Sequence, residues 1–246
     1  HKRLINKITK DFTENGIVIS NESYQYNNRQ QLIETIINDY SEQYKYPEDF
    51  NDNVYSGMVS KNVLSPVIEK IKFSNPFGIK HETGRIKRNY SQINDIFLPS
   101  SLQSKKPNEP SYRTEITYDL YDKKGNLLQY TGPDNVPVSY IWGYINTYPI
   151  AEIKNATLDQ VRNVLGGELV LDNISNKKEP SESDWTKLKK LYHPTWGIGY
   201  VSLFKYLPLV GRIQTTDIDE QNIYYDYDDL GRLLNIRDND FNLISN

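Results

Sequence analysis

Apolar and polar residues alternate with a period of two over most of this chain, and that alternation is typical of half-buried β-strands. The first two alternating segments, residues 3–10 and 17–26, flank the tripeptide Glu14-Asn15-Gly16, and Asn-Gly is a favoured hairpin turn. Further strands are predicted within residues 32–40, 63–73, 81–97, 112–130, 138–144 and 200–246. The pattern therefore predicts a mainly β fold, built as a long antiparallel sheet rich in hairpins.

Two segments follow a helical period instead. The first has an apolar stripe between a Thr-x-x-Gln capping box and a Gly-Gly stop, formed by Thr157, Leu158, Gln160, Val161, Leu165, Gly166 and Gly167. The second places Trp185, Leu188 and Leu191 on one face. We expect two short inserted α-helices, around residues 157–166 and 183–192, and a loop or a short helix within residues 48–62.

One seven-residue phrase, Tyr-Asp-x-x-Gly-x-Leu, occurs twice in the chain. Its defining residues are Tyr121, Asp122, Gly125 and Leu127 in the first copy and Tyr227, Asp228, Gly231 and Leu233 in the second. The Asp side chain can accept hydrogen bonds from the following backbone amides and start a turn, and the Gly can adopt the left-handed conformation that closes it. The Tyr and the Leu then flank the turn on opposite strands. We therefore predict that these eight residues are structural turn elements.

A degenerate third copy spans residues 26–32 and has Gln30 where the Gly would stand, so a related turn is expected there. The copies begin at Tyr26, Tyr121 and Tyr227, which are 95 and 106 residues apart. This spacing argues against a solenoid of short fixed period and for a long hairpin sheet with an insert. We divide the chain into repeat sheet at residues 1–150, a helical insert at 151–199 and repeat sheet at 200–246, together one continuous unit.

Composition favours an extended or hollow sheet over a globule with a dry centre. Hydrophobic residues make up 37% of the chain and 20 residues are Tyr, whose ring packs while its hydroxyl reaches water. The net charge of −3 is scattered, so nucleic acid is not an expected partner. The chain has no Cys and no apolar run long enough for a transmembrane helix. It starts with His-Lys-Arg-Leu in the manner of a strand interior, and we expect it to be a fragment of a longer polypeptide.

Residues capable of chemistry occur without the arrangement that chemistry requires. Carboxylates cluster at Asp217, Asp219 and Glu220 and at Asp226, Asp228 and Asp229, where turn and strand-edge roles are favoured over a paired catalytic site. Asp226 and Asp228 are expected on one strand face, which could also attract a cation. The histidines, His1, His81 and His193, lack ligand spacing. We assign no catalytic, cofactor-binding or metal-binding residue, and we do not expect an enzyme.

Two further groups have both a functional and a structural interpretation. Lys187, Lys189 and Lys190 could attract acidic partners, but a solvated helix face opposite Trp185 and Leu188 is favoured. The Tyr and Trp residues within 140–148 could stack sugars, but packing inside the sheet is favoured.

The motifs, taken in order, resemble those of the RHS/YD-repeat proteins, in particular the large exported forms of Bacteroidota. The resemblance rests on the two Tyr-Asp-x-x-Gly-x-Leu copies, on residues 138–144 followed by 148–157, on 206–211 leading into 225–233, and on 44–47 and 62–69. It implies a spiralling β-sheet that forms a hollow shell, which in some relatives encloses a toxic C-terminal domain released by aspartyl self-cleavage. The cleavage core is not found in this sequence, so no catalytic residue is carried over.

Three functions follow as expectations. The first is a non-enzymatic wall of an exported shell or cell-surface scaffold, with the protein's own C-terminal cargo, a toxin or effector, as partner. The second is a subunit docked to envelope proteins of an outer-membrane secretion, motility or transport complex. The third is a surface adhesin or glycan-binding module. By analogy with the family, the protein is exported and is either secreted or associated with the cell surface or outer membrane.

Overall fold

A computed structural model of the chain describes residues 3–13, 16–192 and 199–245. Glu14 and Asn15 of the predicted turn Glu14-Asn15-Gly16 lie outside the described residues, as do the histidines His1 and His193. Within them the mainly β, hairpin-rich fold is confirmed: sixteen strands each pair antiparallel with a chain neighbour in strictly sequential order. This order requires no crossover connection.

The strands are β1 (Asn6–Thr13), β2 (Gly16–Tyr26), β3 (Leu32–Ile37), β4 (Tyr40–Lys45), β5 (Glu69–Ser74), β6 (His81–Ile93), β7 (Ile96–Lys105), β8 (Arg113–Tyr121), β9 (Leu127–Thr131), β10 (Pro137–Gly143), β11 (Tyr148–Lys154), β12 (Tyr200–Leu207), β13 (Gly211–Thr216), β14 (Asn222–Tyr227), β15 (Leu233–Arg237) and β16 (Leu243–Ser245). The helices are α1 (Asn53–Ser60), α2 (Leu158–Leu165), α3 (Glu168–Ser175) and α4 (Glu182–Leu188), the last continued by a 3-10 segment, Lys189–Tyr192. The chain divides into two compact units, His1–Thr117 and Tyr118–Asn246, called here the N-terminal and C-terminal units.

The N-terminal unit has a small apolar core beneath α1. Asp52 caps this helix by accepting hydrogen bonds from the backbone amides of Val54 and Tyr55, both at 3.0 Å. The helix buries Tyr55 and Met58 against Ile68, and the partly buried Phe50, Val63, Tyr90 and Phe97 surround them. Of the two interpretations of residues 48–62, the short helix is therefore the one observed.

The C-terminal unit has a much larger apolar core, formed where α2, α3 and α4 pack with β10, β11 and β12. Its buried residues include Ile141, Ile150, Ile153, Val161, Leu165, Leu171, Ile174, Trp185, Leu188, Val201 and Leu203. Burial of each large aliphatic side chain is worth about 1.5–3 kcal/mol relative to exposure. The helices thus give this unit an apolar interior from which water is excluded. A sheet with both faces exposed to water would have no such interior.

Helix α2 begins and ends as its sequence predicts. Thr157 and Gln160 form the capping box, and Gly166 adopts a left-handed φ of 98° at the C-terminal cap. Helix α3 was not predicted. It begins directly after Gly167 without a side-chain cap, and its buried residues are Leu171 and Ile174, too few to indicate a helical period.

Candidate functional site

The first Tyr-Asp-x-x-Gly-x-Leu copy forms a tight turn between β8 and β9. The Asp122 amide donates to the Asn126 carbonyl at 2.9 Å, and the Gly125 amide donates to the Asp122 carbonyl at 3.1 Å. The Asp122 Oδ1 atom accepts from the amides of Lys124 and Asn126, both at 2.8 Å. Gly125 has a φ of 88°, which a residue with a side chain rarely adopts.

The second copy repeats this geometry between β14 and β15. Asp228 Oδ1 accepts from the amides of Leu230 at 2.9 Å and Arg232 at 2.8 Å, and Gly231 has a φ of 73°. The backbone hydrogen bond from Arg232, supported by its side chain, lowers the pKa of Asp228. Tyr227 lies opposite Leu233 across the two strands. A purely structural role for these residues stays a prediction.

The degenerate copy keeps the same turn without glycine. Asn27 Oδ1 accepts from the amides of Arg29 at 3.0 Å and Gln31 at 2.9 Å, and the Gln30 amide donates to the Asn27 carbonyl at 2.9 Å. Gln30 itself has a φ of 65°. The Asx side chain and the sheet therefore impose the left-handed conformation on a residue that does not favour it.

Two more turns of this kind were hidden in the sequence because their left-handed residues are Glu220 and Phe241. Asp217 and Asp238 each accept two backbone amide hydrogen bonds through Oδ1 at 2.8–3.0 Å. Together with Asp228 they recur at intervals of 11 and 10 residues. The irregular spacing inferred from the sequence came from counting only the recognisable copies, whereas the conclusion drawn from it, a long hairpin sheet with an insert, is confirmed.

The carboxylates that lie close together in the sequence have different roles and different partners in the structure. Asp217 and Asp228 start turns, Asp226 pairs with Arg237 at 2.8 Å, and Glu220 pairs with Lys189 at 2.8 Å. The expectation that Asp226 and Asp228 share a strand face is wrong, because the register shifts after Asp226 and β14 ends before Asp228. Within residues 3–13, 16–192 and 199–245, no group of three or more His, Cys, Asp or Glu side chains could hold a metal ion.

Sequence reasoning missed a buried ionic cluster in the N-terminal unit, centred on Glu69. This carboxylate is 4% exposed, accepts a hydrogen bond from the Tyr112 hydroxyl and lies 3.2 Å from Lys45 Nζ and 3.7 Å from Arg85 Nη1. Burial alone would raise the pKa of Glu69, but these hydrogen bonds and cations lower it overall. Burial and the bond to Glu69 raise the pKa of Tyr112 to about 12. Glu69 and its three partners lie on four different strands or loops, and no local spacing signals them.

A cleft of about 620 Å³ lies wholly within the C-terminal unit. It is bounded by the Asp122–Asn126 turn, by β10 and by helices α2 and α3. Its lining includes three aromatic residues, Tyr121, Tyr140 and Trp142. The Trp142 indole N–H donates to the Leu127 carbonyl at 2.9 Å, and the Tyr140 hydroxyl donates to Glu152 at 3.1 Å. Burial, followed by the Glu152 charge, raises the pKa of Tyr140.

The aromatic residues within 140–148 therefore have two different environments. Tyr144 is buried and makes edge contacts with Tyr148 and Tyr206, which stack on each other with ring centroids 4.8 Å apart. Tyr140 and Trp142 instead line the cleft. Packing inside the sheet, the favoured interpretation, accounts for the first group and leaves the second available to a ligand.

The lysines of the second predicted helix occupy its solvated face. Lys187, Lys189 and Lys190 are exposed, whereas Trp185 and Leu188 are buried in the core. Lys189 pairs with Glu220, and Lys187 Nζ lies 3.9 Å from Asp184. Among the described helices, none has the length and apolar character needed to span a membrane.

No protein-family model matches the chain, and no curated protein matches it. Among solved structures, the chain is similar to one titled "Crystal Structure of TcdB2-TccC3", with 12% identity and a TM-score of 0.40 over 95% of this chain. It is also similar to a Photorhabdus luminescens Tc holotoxin pore, with 12% identity and a TM-score of 0.37 over 94% of this chain. In both cases this chain spans 11% of the neighbour's length. Neighbours this distant carry no argument about the site.

Proposed function

We propose that this chain is a non-enzymatic structural segment, the wall of an exported RHS/YD-repeat shell or cell-surface scaffold. The observation that carries the proposal is the recurrent turn. At Asn27, Asp122, Asp217, Asp228 and Asp238 the same side-chain atom accepts the same two backbone amides. These polar side chains thus serve to reverse the chain and start the next strand.

Sequential pairing supports the same proposal. A sheet in which every strand follows its chain neighbour grows by adding hairpins at its edge. Such growth makes a surface whose area increases with chain length, and a surface of this kind can enclose or present another polypeptide. The proposed partner is the protein's own C-terminal cargo domain, a toxin or effector in the sense of the family resemblance.

The terminal strands favour a second candidate, a subunit docked to envelope proteins of an outer-membrane secretion, motility or transport complex. Phe12 on β1 is 79% exposed, and Ile244 on β16 is 56% exposed. Edge strands with exposed apolar side chains pair readily with another chain. Continuation of the same polypeptide would cover these residues equally well, so the two candidates differ in what covers the edges.

The protein purified under native conditions from its own cells separates the candidates. For a shell wall, intact mass spectrometry gives a polypeptide far above 28.7 kDa with a C-terminal extension, and cell fractionation places it outside the cytoplasm. Stoichiometric co-purification with envelope proteins, on a chain without an extension, would favour the docked subunit. If the protein has an enzymatic activity and Asp228→Asn abolishes it, that result would contradict a purely structural role for the turns.

A further inference from the structure

We propose that the cleft of the C-terminal unit binds a neutral oligosaccharide. Its volume of about 620 Å³ falls within the range of about 300–1,000 Å³ that is usual for small-molecule sites. The proposal adds a ligand site to the structural role and does not depend on it, because the cleft is formed by residues of one unit.

The apolar part of the lining suits the C–H faces of sugar rings. Tyr121, Tyr140 and Trp142 provide aromatic rings, and Leu128 is a further apolar residue of the lining. The electron-rich face of an aromatic ring attracts the weakly positive C–H groups on one face of a sugar. The hydrogen bond from the Trp142 indole to the Leu127 carbonyl fixes its ring, so little side-chain entropy is lost when a ligand binds.

The charges of the lining cancel one another and favour an uncharged ligand. The acidic residues are Asp122, Glu168 and Asp172, and the basic residues are Lys123, Lys124 and Arg162. Arg162 pairs with Glu168 and with Asp159, the latter at 2.8 Å. Lys124 Nζ donates to the Ile145 carbonyl at 2.7 Å. A phosphate or a peptide terminus bound by Arg162 or Lys124 would have to displace these partners, whereas a neutral ligand leaves them in place.

The remaining polar groups match hydroxyls, which both donate and accept hydrogen bonds. Asn146, Ser175 and Asn176 line the cleft, and the Asn146 amide donates to the Asn176 side-chain oxygen at 3.1 Å. Side-chain amides and hydroxyls offer donors and acceptors together, and the exposed Asp172 carboxylate adds a strong acceptor at the rim. Aromatic rings beside such groups form the combination that a polyhydroxylated, uncharged ring requires.

The test is a titration of the whole protein with maltotriose, cellotriose and chitotriose, followed by tryptophan fluorescence and by ligand-observed NMR. At least one trisaccharide is expected to bind. Trp142→Phe should weaken that binding about tenfold, and Asp172→Ala about fivefold, because each removes one direct contact. The matched control is Asn173→Ala, the exposed neighbour of Asp172 outside the lining, which should leave affinity unchanged.

Asp172→Ala keeps the test informative if Trp142→Phe fails to fold, since Asp172 is exposed on α3. The proposal is overturned if none of the three trisaccharides binds at about 10 mM, a concentration that reveals even millimolar affinity. Binding that both variants leave unchanged would also overturn it, as would preferential binding of an anionic sugar or of a peptide.

Discussion

The two units of this molecule are stabilised by different means, although both are built from antiparallel hairpins. In the C-terminal unit, three helices cover strands β10–β12 and create a large apolar core. In the N-terminal unit, one short helix buries its Tyr55 and Met58 against Ile68, and the Glu69 cluster and ion pairs such as Lys70–Glu42 join its strands. A repeat of hairpins therefore specifies the path of the chain but not the source of its stability.

The largest expected effect comes from the core of the C-terminal unit. Ile174 on α3 is fully buried, and its replacement by Ala should lower the free energy of unfolding of this unit by about 2–4 kcal/mol, through lost burial and a residual cavity. Leu169 on the same helix is 77% exposed, so Leu169→Ala should change it by less than about 0.5 kcal/mol. Denaturant unfolding with amide hydrogen exchange measures both; equal losses would contradict the assigned core.

The Glu69 cluster provides the corresponding test of the N-terminal unit. Glu69→Gln should lower its free energy of unfolding by about 2 kcal/mol, because Tyr112, Lys45 and Arg85 lose a buried charged partner. Asp95→Asn is the control, since Asp95 is 87% exposed in its pair with Lys61, and the free energy of unfolding should hardly change. If the two variants unfold alike, the cluster does not stabilise the unit.

The same cluster predicts a pH dependence. The pKa of Glu69 is lowered in the folded state from its ordinary value of 4.5, so its stabilising contribution is complete above that value. The contribution is lost as the pH falls through the lowered pKa, because the unfolded chain binds the proton first. Between about pH 6 and pH 3 the parent protein should therefore lose more stability in this unit than Glu69→Gln does. If the parent protein and Glu69→Gln lost equal stability over this pH range, other carboxylates would control the loss of stability in acid.

The residue at the left-handed position of a turn, Gly231 in the C-terminal unit and Gln30 in the N-terminal unit, gives the next comparison. Gly231→Val should lower the free energy of unfolding of the C-terminal unit by about 1–2 kcal/mol, because a β-branched side chain resists a φ of 73°. Space around Gly231 is open, with the nearest side-chain atom 3.7 Å from an added Cβ, so backbone conformation is the cause. An unchanged melting temperature would contradict the turn.

Gln30→Gly is the reverse change in the N-terminal unit, and we expect it to stabilise. It removes the left-handed strain of Gln30 at a φ of 65°, offset in part by greater freedom of the unfolded chain. A gain of about 0.5 kcal/mol is expected, measured by denaturant unfolding. Gln31→Gly, one residue later, lies outside the left-handed position and should lower the free energy of unfolding. If both variants raised the free energy of unfolding, the φ of Gln30 could not be the explanation.

Local chemistry explains which features could be predicted from the sequence. Thr157, Gln160 and Gly166 act within a few residues of one another, and α2 could be located from them. The same holds for Asp122 and Asp228, whose partners lie two and four residues ahead. Turns closed by Glu220 and Phe241 could not be recognised, because the surrounding sheet imposes their left-handed conformation against residue preference.

Features that depend on distant residues could not be predicted. Glu69 meets Tyr112 across 43 residues, and the cleft joins a turn near Asp122 to the end of α3. The tyrosine-rich composition predicted a sheet without a dry centre, and this prediction is wrong for the C-terminal unit, where an apolar core lies beneath the helices. Trp142 was recognised as a candidate ligand contact, whereas its neighbours Arg162 and Asp172 carried no signal in the sequence.

Protease protection of the full-length protein tests the proposed wall most directly. If the sheet encloses a C-terminal cargo, the extension should resist protease in the native protein and be digested once denaturant unfolds the wall. The control is the isolated extension, which should be digested without denaturant. An extension cut at the same rate in the native protein as in isolation would contradict the proposed wall.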